Sequence, residues 1–429
     1  MSTNTINVSV QMMDNYKLAD GPDLGNKGKG FTALQDIDGN SLLFGIDSGG
    51  VFNLFQETPN QPYGFTVIPL STAQINAAFP NGGSCTNFAA AQNVAAAANN
   101  NQPTLSIAMV VTDDTNHDHV FICTGLSIGD LSWTTGISWS RFEYDNPLYP
   151  LDYIKVANLH LMETAEGNQV IVIDLLSTPT DPQQSAISRY YLDPKEINGY
   201  AWVYYQLASS FDAAGCISSI GNPGNQGRFQ IQGIYTCGTV NNSPEFQYQA
   251  LYDIYSQLVP PGPALPCNYS LQDNAVPQSM AVCRNADDTT DVYLTGFDGT
   301  NWNLYYLAST NQGDNKKAAR VFSNELFNNV QNLYAHATST EVKVWGLNQA
   351  NQVFYITCPV GSQTMNYWTN PIPILLANNI STYINNTDGG LTYFASLLTA
   401  PGDPAMVMKL TKSTDTLIWK QQSLHILPQ

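Results

Sequence analysis

Charge is what this sequence has least of. Only 12% of its 429 residues are Asp, Glu, Lys or Arg, and 16 Lys and Arg face 34 Asp and Glu, for a formal net charge of −18. Such a surface repels a phosphate backbone or an anionic bilayer and offers no counterion release, so nucleic acid is not expected as a partner. Long apolar runs are missing too. No stretch approaches the roughly 18 apolar residues of a spanning helix, and no membrane insertion is expected. The start, Met1-Ser2-Thr3-Asn4-Thr5-Ile6-Asn7, lacks the basic residues and apolar core of a signal peptide. The expectation is a cytoplasmic or non-classically secreted chain.

Paired cysteines are lacking as well. Cys85, Cys123, Cys216, Cys237, Cys267, Cys283 and Cys358 form no CxxC and no zinc-type spacing, and an odd count leaves a thiol free in a monomer. Cys123, Cys237, Cys283 and Cys358 sit in apolar strand contexts and read as small buried residues, while a Cys216–Cys237 disulfide stays open. No GxSxG, HExxH or P-loop occurs. His117-Asp118-His119, preceded by Asp113 and Asp114, is the one cluster of metal-ligand types, and residues i and i+2 on a strand share a face. It falls in a turn between Met109-Val110-Val111 and Val120-Phe121-Ile122, where solvated polar residues are the default. Asp36-Ile37-Asp38-Gly39-Asn40 and Asp287-Asp288 with Asp291 do not complete a calcium ladder. No metal and no cofactor is therefore assigned.

What is abundant is Asn, Gln, Ser, Thr, Gly and Pro, with 23 Tyr: the composition of turn-rich β structure. One hairpin phrase occurs three times. Leu43-Phe44-Gly45-Ile46-Asp47 turns into Val51-Phe52, Leu294-Thr295-Gly296-Phe297-Asp298 into Trp302-Asn303-Leu304-Tyr305, and Val344-Trp345-Gly346-Leu347-Asn348 into Val353-Phe354-Tyr355. Each is an alternating strand with one Gly, an Asp or Asn at its exit, and a returning strand with aromatics. An aromatic also closes each unit, at Phe65, Trp133 to Trp139, Trp202, Tyr248 to Ile254, Val321-Phe322, Trp368 and Trp419.

Seven closings predict an all-β fold, a β-propeller of seven blades with four antiparallel strands each; six blades is the alternative. The approximate units are 29–70, 104–145, 152–210, 214–260, 276–328, 330–377 and 379–427, within a single domain spanning 1–429. Residues 1–28 carry a strand, Ile6 to Val10, expected to seal the ring beside the last blade. Residues 71–103 are an Ala/Asn-rich rim insertion, with a short helix expected over Ala89-Ala90-Ala91 and Ala95 to Ala98, ended by Asn99-Asn100-Asn101.

Val344-Trp345-Gly346-Leu347-Asn348 with Gln352-Val353-Phe354-Tyr355 resembles the Trp-Gly and Gln-aromatic phrase of tectonin and tachylectin-type propeller lectins and related fungal and bacterial propeller lectins. The resemblance covers units 1, 5, 6 and 7. It implies several weak carbohydrate sites between or on blades, glycans or glycoconjugates as partners, and no catalysis; a homo-oligomer is left open. Sugars present apolar C–H faces and dense hydroxyls, which aromatic platforms beside amides and carboxylates match. Trp302, Trp345 and Tyr355 are the expected platforms, with Asp47, Asp298 and Asn348 as hydrogen-bonding partners. The alternatives are a structural or protein-interaction scaffold, with the tryptophans as wedges between blades, and a propeller glycosidase or lyase. The Asp-box of propeller glycosidases is completed nowhere; Phe297 to Trp302 keeps its Asp, Gly and Trp alone. No catalytic residue is assigned, and the chain is expected not to be an enzyme.

Overall fold

Within each sheet of the computed structural model most strands pair with their neighbours in chain order. The residues it describes are 10–12, 31–47, 50–59, 61, 64–71, 73–79, 82–93, 104–142, 155–163, 169–176, 187–193, 203–207, 213–222, 231–240, 243–252, 267–284, 290–308, 317–337, 340–359, 367–368, 377–384, 391–397, 407–412, 419–423 and 425–426. Among them the fold is nearly all β, and its strands join into seven antiparallel four-stranded meanders. Meander I is Phe31–Gln35, Ser41–Ile46, Phe52–Glu57 and Gly64–Pro69. Meander II is Gly83–Asn93, Thr104–Asp113, Asp118–Ser127 and Ser140–Arg141. Meander III is Lys155–Glu163, Gln169–Leu176, Ile187–Asp193 and Val203–Leu207. Meander IV is Ala213–Asn222, Ile231–Val240, Ser243–Tyr252 and Cys267–Leu271. Meander V is Val276–Arg284, Thr290–Phe297, Trp302–Ala308 and Lys317–Ser323. Meander VI is Asn332–Ala337, Glu341–Leu347, Val353–Pro359 and Tyr367–Trp368, and meander VII is Ala377–Ile384, Leu391–Leu397, Val407–Lys412 and Trp419–Ser423.

The chain divides into two compact units, one of residues 1–149, 351–353 and 372–429, the other of 150–350 and 354–371. In the first, every residue of Ser41–Ile46 is buried because the strand is covered on both faces. Leu42, Phe44 and Ile46 pack with Leu105, Ile107, Met109 and Phe121 of meander II, while Leu43 packs with Phe394 and Val407 of meander VII. The ends of the chain protect sheet edges: Val10–Met12 pairs parallel with Trp419 to Gln421, and His425–Ile426 pairs parallel with Gly64 and Phe65.

Between meanders I and VII lies a buried polar cluster. Lys409 Nζ donates to Glu57 Oε1 at 2.8 Å, to Oε2 at 2.9 Å and to Ser41 Oγ at 3.0 Å. Ser41 Oγ donates to Glu57 Oε2 at 2.6 Å, so the Tyr383 hydroxyl, 2.9 Å away, is the donor to Ser41. Burial alone would raise the Glu57 pKa; the Lys409 charge and these hydrogen bonds outweigh it and hold the carboxyl below its ordinary value.

The second unit repeats the two-faced packing. Met280, Val292, Leu294 and Tyr305 of meander V meet Tyr235, Cys237 and Phe246 of meander IV, and Ala281, Tyr293, Leu304 and Tyr306 meet Leu333, Val342, Val344 and Phe354 of meander VI. Meanders IV and V are also zipped along their outer strands, Ser270 beside Lys317 and Leu271 beside Ala318, giving one eight-stranded sheet.

Several local expectations are corrected. Ala89, Ala90 and Ala91 lie in the strand Gly83–Asn93, paired along Thr104–Asp113, and the helix is Ala73–Ala78 instead. Helix propensity differs by less than about 1 kcal/mol per residue, which a ladder of this length overrides. Meander II therefore starts near 83, not 104; residues 94–103, including Ala95 to Ala98 and Asn99 to Asn101, lie outside the described residues. Trp133 sits in a 3-10 turn, Leu131–Thr135, with its indole donating to Ser127 O, so the closing strand is Ser140–Arg141. Tyr248 lies in the third strand of meander IV, whose closing strand is Cys267–Leu271. Cys237 is buried and outside any disulfide, so the Cys216–Cys237 bond is not formed. Cys85, Cys123 and Cys283 are likewise buried and in no disulfide, and burial pushes the Cys123 thiol up to about 11. Residues 6–9 of the N-terminal run and Asp287-Asp288 lie outside the described residues.

Candidate functional site

The recurring Asp is a turn clasp. Asp298 Oδ1 accepts from the backbone N–H groups of Thr300 (2.8 Å) and Asn301 (2.7 Å), and Oδ2 accepts from Asn303 Nδ2 at 3.0 Å. Asp47 does the same with the Val51 N–H (2.8 Å) and Asn53 Nδ2 (3.0 Å). Asp36 accepts from the N–H groups of Asp38 and Asn40 and from Asn40 Nδ2, which explains its calcium-like wording without an ion. A carboxylate at the strand exit thus satisfies the orphan donors of the turn, and the amide beyond the turn fixes its second oxygen. The phrase glycine has an equally local cause. A Cβ on Gly296 would lie 2.7 Å from Val276 O and 3.3 Å from the Tyr305 ring; one on Gly346 would lie 2.5 Å from the Phe354 ring and 2.8 Å from Asn332 O. Glycine is required where the aromatic of the returning strand crosses it.

The His cluster follows the same rule. Asp113 Oδ1 accepts from the Thr115 and His117 N–H groups, and Oδ2 lies 2.8 Å from His119 Nε2. Arg141 Nη2 is 2.7 Å from His119 Nδ1. A guanidinium only donates, so Nδ1 accepts and Nε2 donates, and both ring nitrogens serve the turn. Burial would raise the Asp113 pKa, but bonds from His119, His117 and Thr115 hold it well below the carboxylate range. Among the described residues no group of three or more His, Cys, Asp or Glu is arranged to hold a metal ion. Nor is any described helix long and apolar enough to cross a membrane.

The structure separates the expected sugar platforms. Trp345 is 3% exposed and Tyr355 2%, so neither ring face is open, and both are corrected to core residues. The Trp345 ring stacks on Tyr334, with centroids 5.9 Å apart and planes at 13°. Burial, and then the Glu341 charge, push the Tyr355 hydroxyl up. Asn348 is 2% exposed and equally closed to solvent. Asp47 is half-buried and engaged in its own turn, in the other compact unit. Trp302 and Asp298 flank one turn of meander V, with their side chains on opposite faces of its sheet.

At that end of meander V an apolar shelf is open. Val276, Phe297 and Trp302 are side-by-side neighbours across three strands, Val276 opposite Phe297 and Phe297 opposite Trp302. Val276 is 40% exposed, Phe297 and Trp302 are half-buried, and the two rings lie 4.6 Å apart. The residues flanking the turn in the other two copies are closed: Ile46 and Phe52 are 0% and 2% exposed, Leu347 and Val353 0% and 1%. On the other face of the same sheet, the face toward meander IV where Tyr305 packs opposite Arg320, stands an ionic triad. Arg320 Nη1 is 3.2 Å from Asp273 Oδ2 and 3.7 Å from Asp298 Oδ2, its guanidinium 42% exposed. The Arg320 backbone N–H donates to Gln272 Oε1 at 2.9 Å. Asp273 and Asn274 adopt left-handed backbone, with φ of 62° and 55°. The Asn301 and Thr300 N–H groups hold the Asp298 carboxyl below its usual value, so it stays ionised near neutrality. Asn303 in turn bridges Asp298, the Tyr305 hydroxyl (3.1 Å) and the Ser323 hydroxyl (2.5 Å).

Sequence reading missed Val276, Asp273 and Arg320. Phe297 was visible as the residue before the turn; Arg320, in an outer strand, carries no signal in its neighbours.

No family profile and no curated relative matches the sequence. Solved structures do. The polysaccharide lyase Uly1 matches 93% of this chain and 92% of its own at 10% identity with a TM-score of 0.51. The Penicillium chrysogenum alpha-L-arabinanase, solved with arabinobiose, matches 94% of this chain and 98% of its own at 10% identity, TM-score 0.44. The Aleuria aurantia lectin, in complex with Fucalpha1-6GlcNAc, matches 83% and 97% at 11% identity, TM-score 0.41. These are propeller proteins, and the likeness is one of fold. The likeness to Uly1 corrects the expectation that the chain is not an enzyme: a fold shared with a polysaccharide lyase supplies no ground for excluding catalysis.

Proposed function

We propose that the seven meanders are the blades of a β-propeller and that the protein engages carbohydrate, with the shelf of Val276, Phe297 and Trp302 in meander V as its principal contact. One observation carries this reading. The pair flanking the turn is buried in two copies of the phrase and half-open in the third, where the Thr300–Asn301 edge of the turn is exposed. A half-open aromatic step next to a turn of exposed Thr and Asn matches the alternating apolar and hydroxyl faces of a sugar. A surface of net charge −18 points away from nucleic acid toward such a partner.

Glycan cleavage is the second reading, supported by the fold shared with a polysaccharide lyase. A glycan array tests both when each polymer that binds is assayed for new reducing ends and unsaturated products. Retention of at least one glycan, weakened by Trp302→Ala, is expected; no binding at high protein density would remove the carbohydrate reading and favour a scaffold.

A further inference from the structure

We infer that His119 is an acid-released latch on the outer edge of meander II: it holds the closing strand through Arg141 while its imidazole is neutral and lets it go when the ring takes a second proton. The hydrogen bonds fix the neutral form. Asp113 Oδ2 lies 2.8 Å from Nε2, and Arg141 Nη2 lies 2.7 Å from Nδ1. A carboxylate only accepts and a guanidinium only donates, so Nε2 carries the proton and Nδ1 must keep its lone pair. A proton added at Nδ1 removes that acceptor and sets two cations against each other at hydrogen-bond distance, whereas the bond to Asp113 survives and becomes charge-assisted. Of the two partners, the exposed Arg141 is the one that leaves.

The closing strand is short. Ser140–Arg141 pairs at Ile122 with Ser140 and at Phe121 with Arg141, and just beyond it the Phe142 N–H donates to Val120 O at 2.8 Å. The Arg141 guanidinium lies 5.6 Å from the centre of the Phe79 ring, and the His119 ring lies 4.7 Å from the same centre. A charged imidazole takes over that aromatic face, so protonation costs Arg141 both contacts in one step. The other charged or titratable groups around His119 are few. In its own hairpin, Asp118 accepts from Thr112 Oγ1 at 2.7 Å, Asp114 is exposed, and His117 Nδ1 lies 2.9 Å from Thr115 Oγ1 and 4.0 Å from Asp113 Oδ2. The helix Ala73–Ala78 carries no acidic or basic residue, and the strand Gly83–Asn93 carries Cys85 alone, whose thiol donates to Asn87 O. Arg141 is therefore the cation that protonation of His119 displaces.

The test uses the full chain with isotope-labelled histidine and phenylalanine, followed by NMR from about pH 8 to about pH 5, the range over which an imidazole changes charge. Phe142 amide exchange is expressed as protection relative to the free-chain rate at each pH. At the alkaline end His119 is expected as the tautomer protonated at Nε2. As the second proton goes on, Phe142 protection should fall about ten-fold, the loss of one hydrogen-bonded contact. His119→Asn keeps an amide oxygen near the place of Nδ1 and should hold its protection constant across the range. His117→Gln should retain the wild-type fall. A neutral His119 protonated at Nδ1, or protection in wild type that does not change with pH, would overturn the latch. So would a fall that persists in His119→Asn or disappears in His117→Gln. If His119→Asn does not fold, the tautomer and the wild-type protection profile still decide.

Discussion

At the scale of single residues, the same side chain type does different work in different copies of one phrase. Trp345 is a core residue and Trp302 is half-open, although both stand in strands of the same hairpin grammar. Trp345→Ala should cost about 3–5 kcal/mol in denaturant unfolding, the usual price of emptying a buried aromatic site. Trp302→Ala should lose roughly 1–3 kcal/mol of glycan affinity with a smaller loss of stability, since much of its ring already faces water. Equal losses of stability in the two variants would contradict this division. Asp298→Ala removes the acceptor of the Thr300 and Asn301 N–H groups and should lower the thermal midpoint without changing the fold.

His336 supplies a pH signature. Burial, and then the Lys343 charge, lower its pKa from 6.5 to about 4. The folded protein therefore holds His336 neutral in a range where the unfolded chain protonates it. Its contribution is fully present above pH 6.5 and is lost as pH falls toward 4, amounting to roughly 2–3 kcal/mol. Thermal melts of His336→Phe against wild type should converge in pH dependence across that window; parallel curves would place the acid sensitivity elsewhere.

At the scale of elements, the junction of meanders I and VII is held by groups that depend on one another. Lys409→Met leaves the Glu57 carboxylate buried beside Ser41 without its cation and should cost about 3–5 kcal/mol, whereas a joint Lys409→Met and Glu57→Leu replacement should cost less. Because the Glu57 pKa is lowered on folding, its contribution is present above its ordinary value near 4.5 and is lost as pH falls through the folded value. Additive losses in the two single and the joint variants, measured by urea unfolding, would show that the groups do not act together.

Alternating hydrophobicity and Asx turns made the hairpins legible, since strand faces and turn donors are local matters. The two long-range features had no local trace. Parallel zipping of Leu271 beside Ala318 depends on where two outer strands arrive, and the Lys409–Glu57 pair joins residues 352 apart in sequence. The Ala-rich strand Gly83–Asn93 was misread because alanine's helix preference is weaker than a ladder partner that lies beyond the turn.

At the scale of the whole molecule, sheets packed on both faces within each unit explain why an aromatic in a repeat was a poor guide to a site. Periodicity tells which face a side chain takes and leaves open what covers that face. Among the described residues most sheet faces are covered, so Tyr355 and Trp345 are enclosed, while Val276, Phe297 and Trp302 stay partly open. The acidic composition acts on the same scale. It favours a neutral partner and should make any binding at the shelf insensitive to salt, in contrast to a contact driven by net charge.

The central claim is that the meander V shelf contacts glycan. Its most direct test is the affinity of wild type and Trp302→Ala for a glycan selected on the array, measured by titration calorimetry and normalised to folded protein. The account predicts a loss of roughly ten-fold or more in the variant, with binding by Trp345→Phe unchanged per folded molecule. Equal affinity of Trp302→Ala and wild type would contradict it.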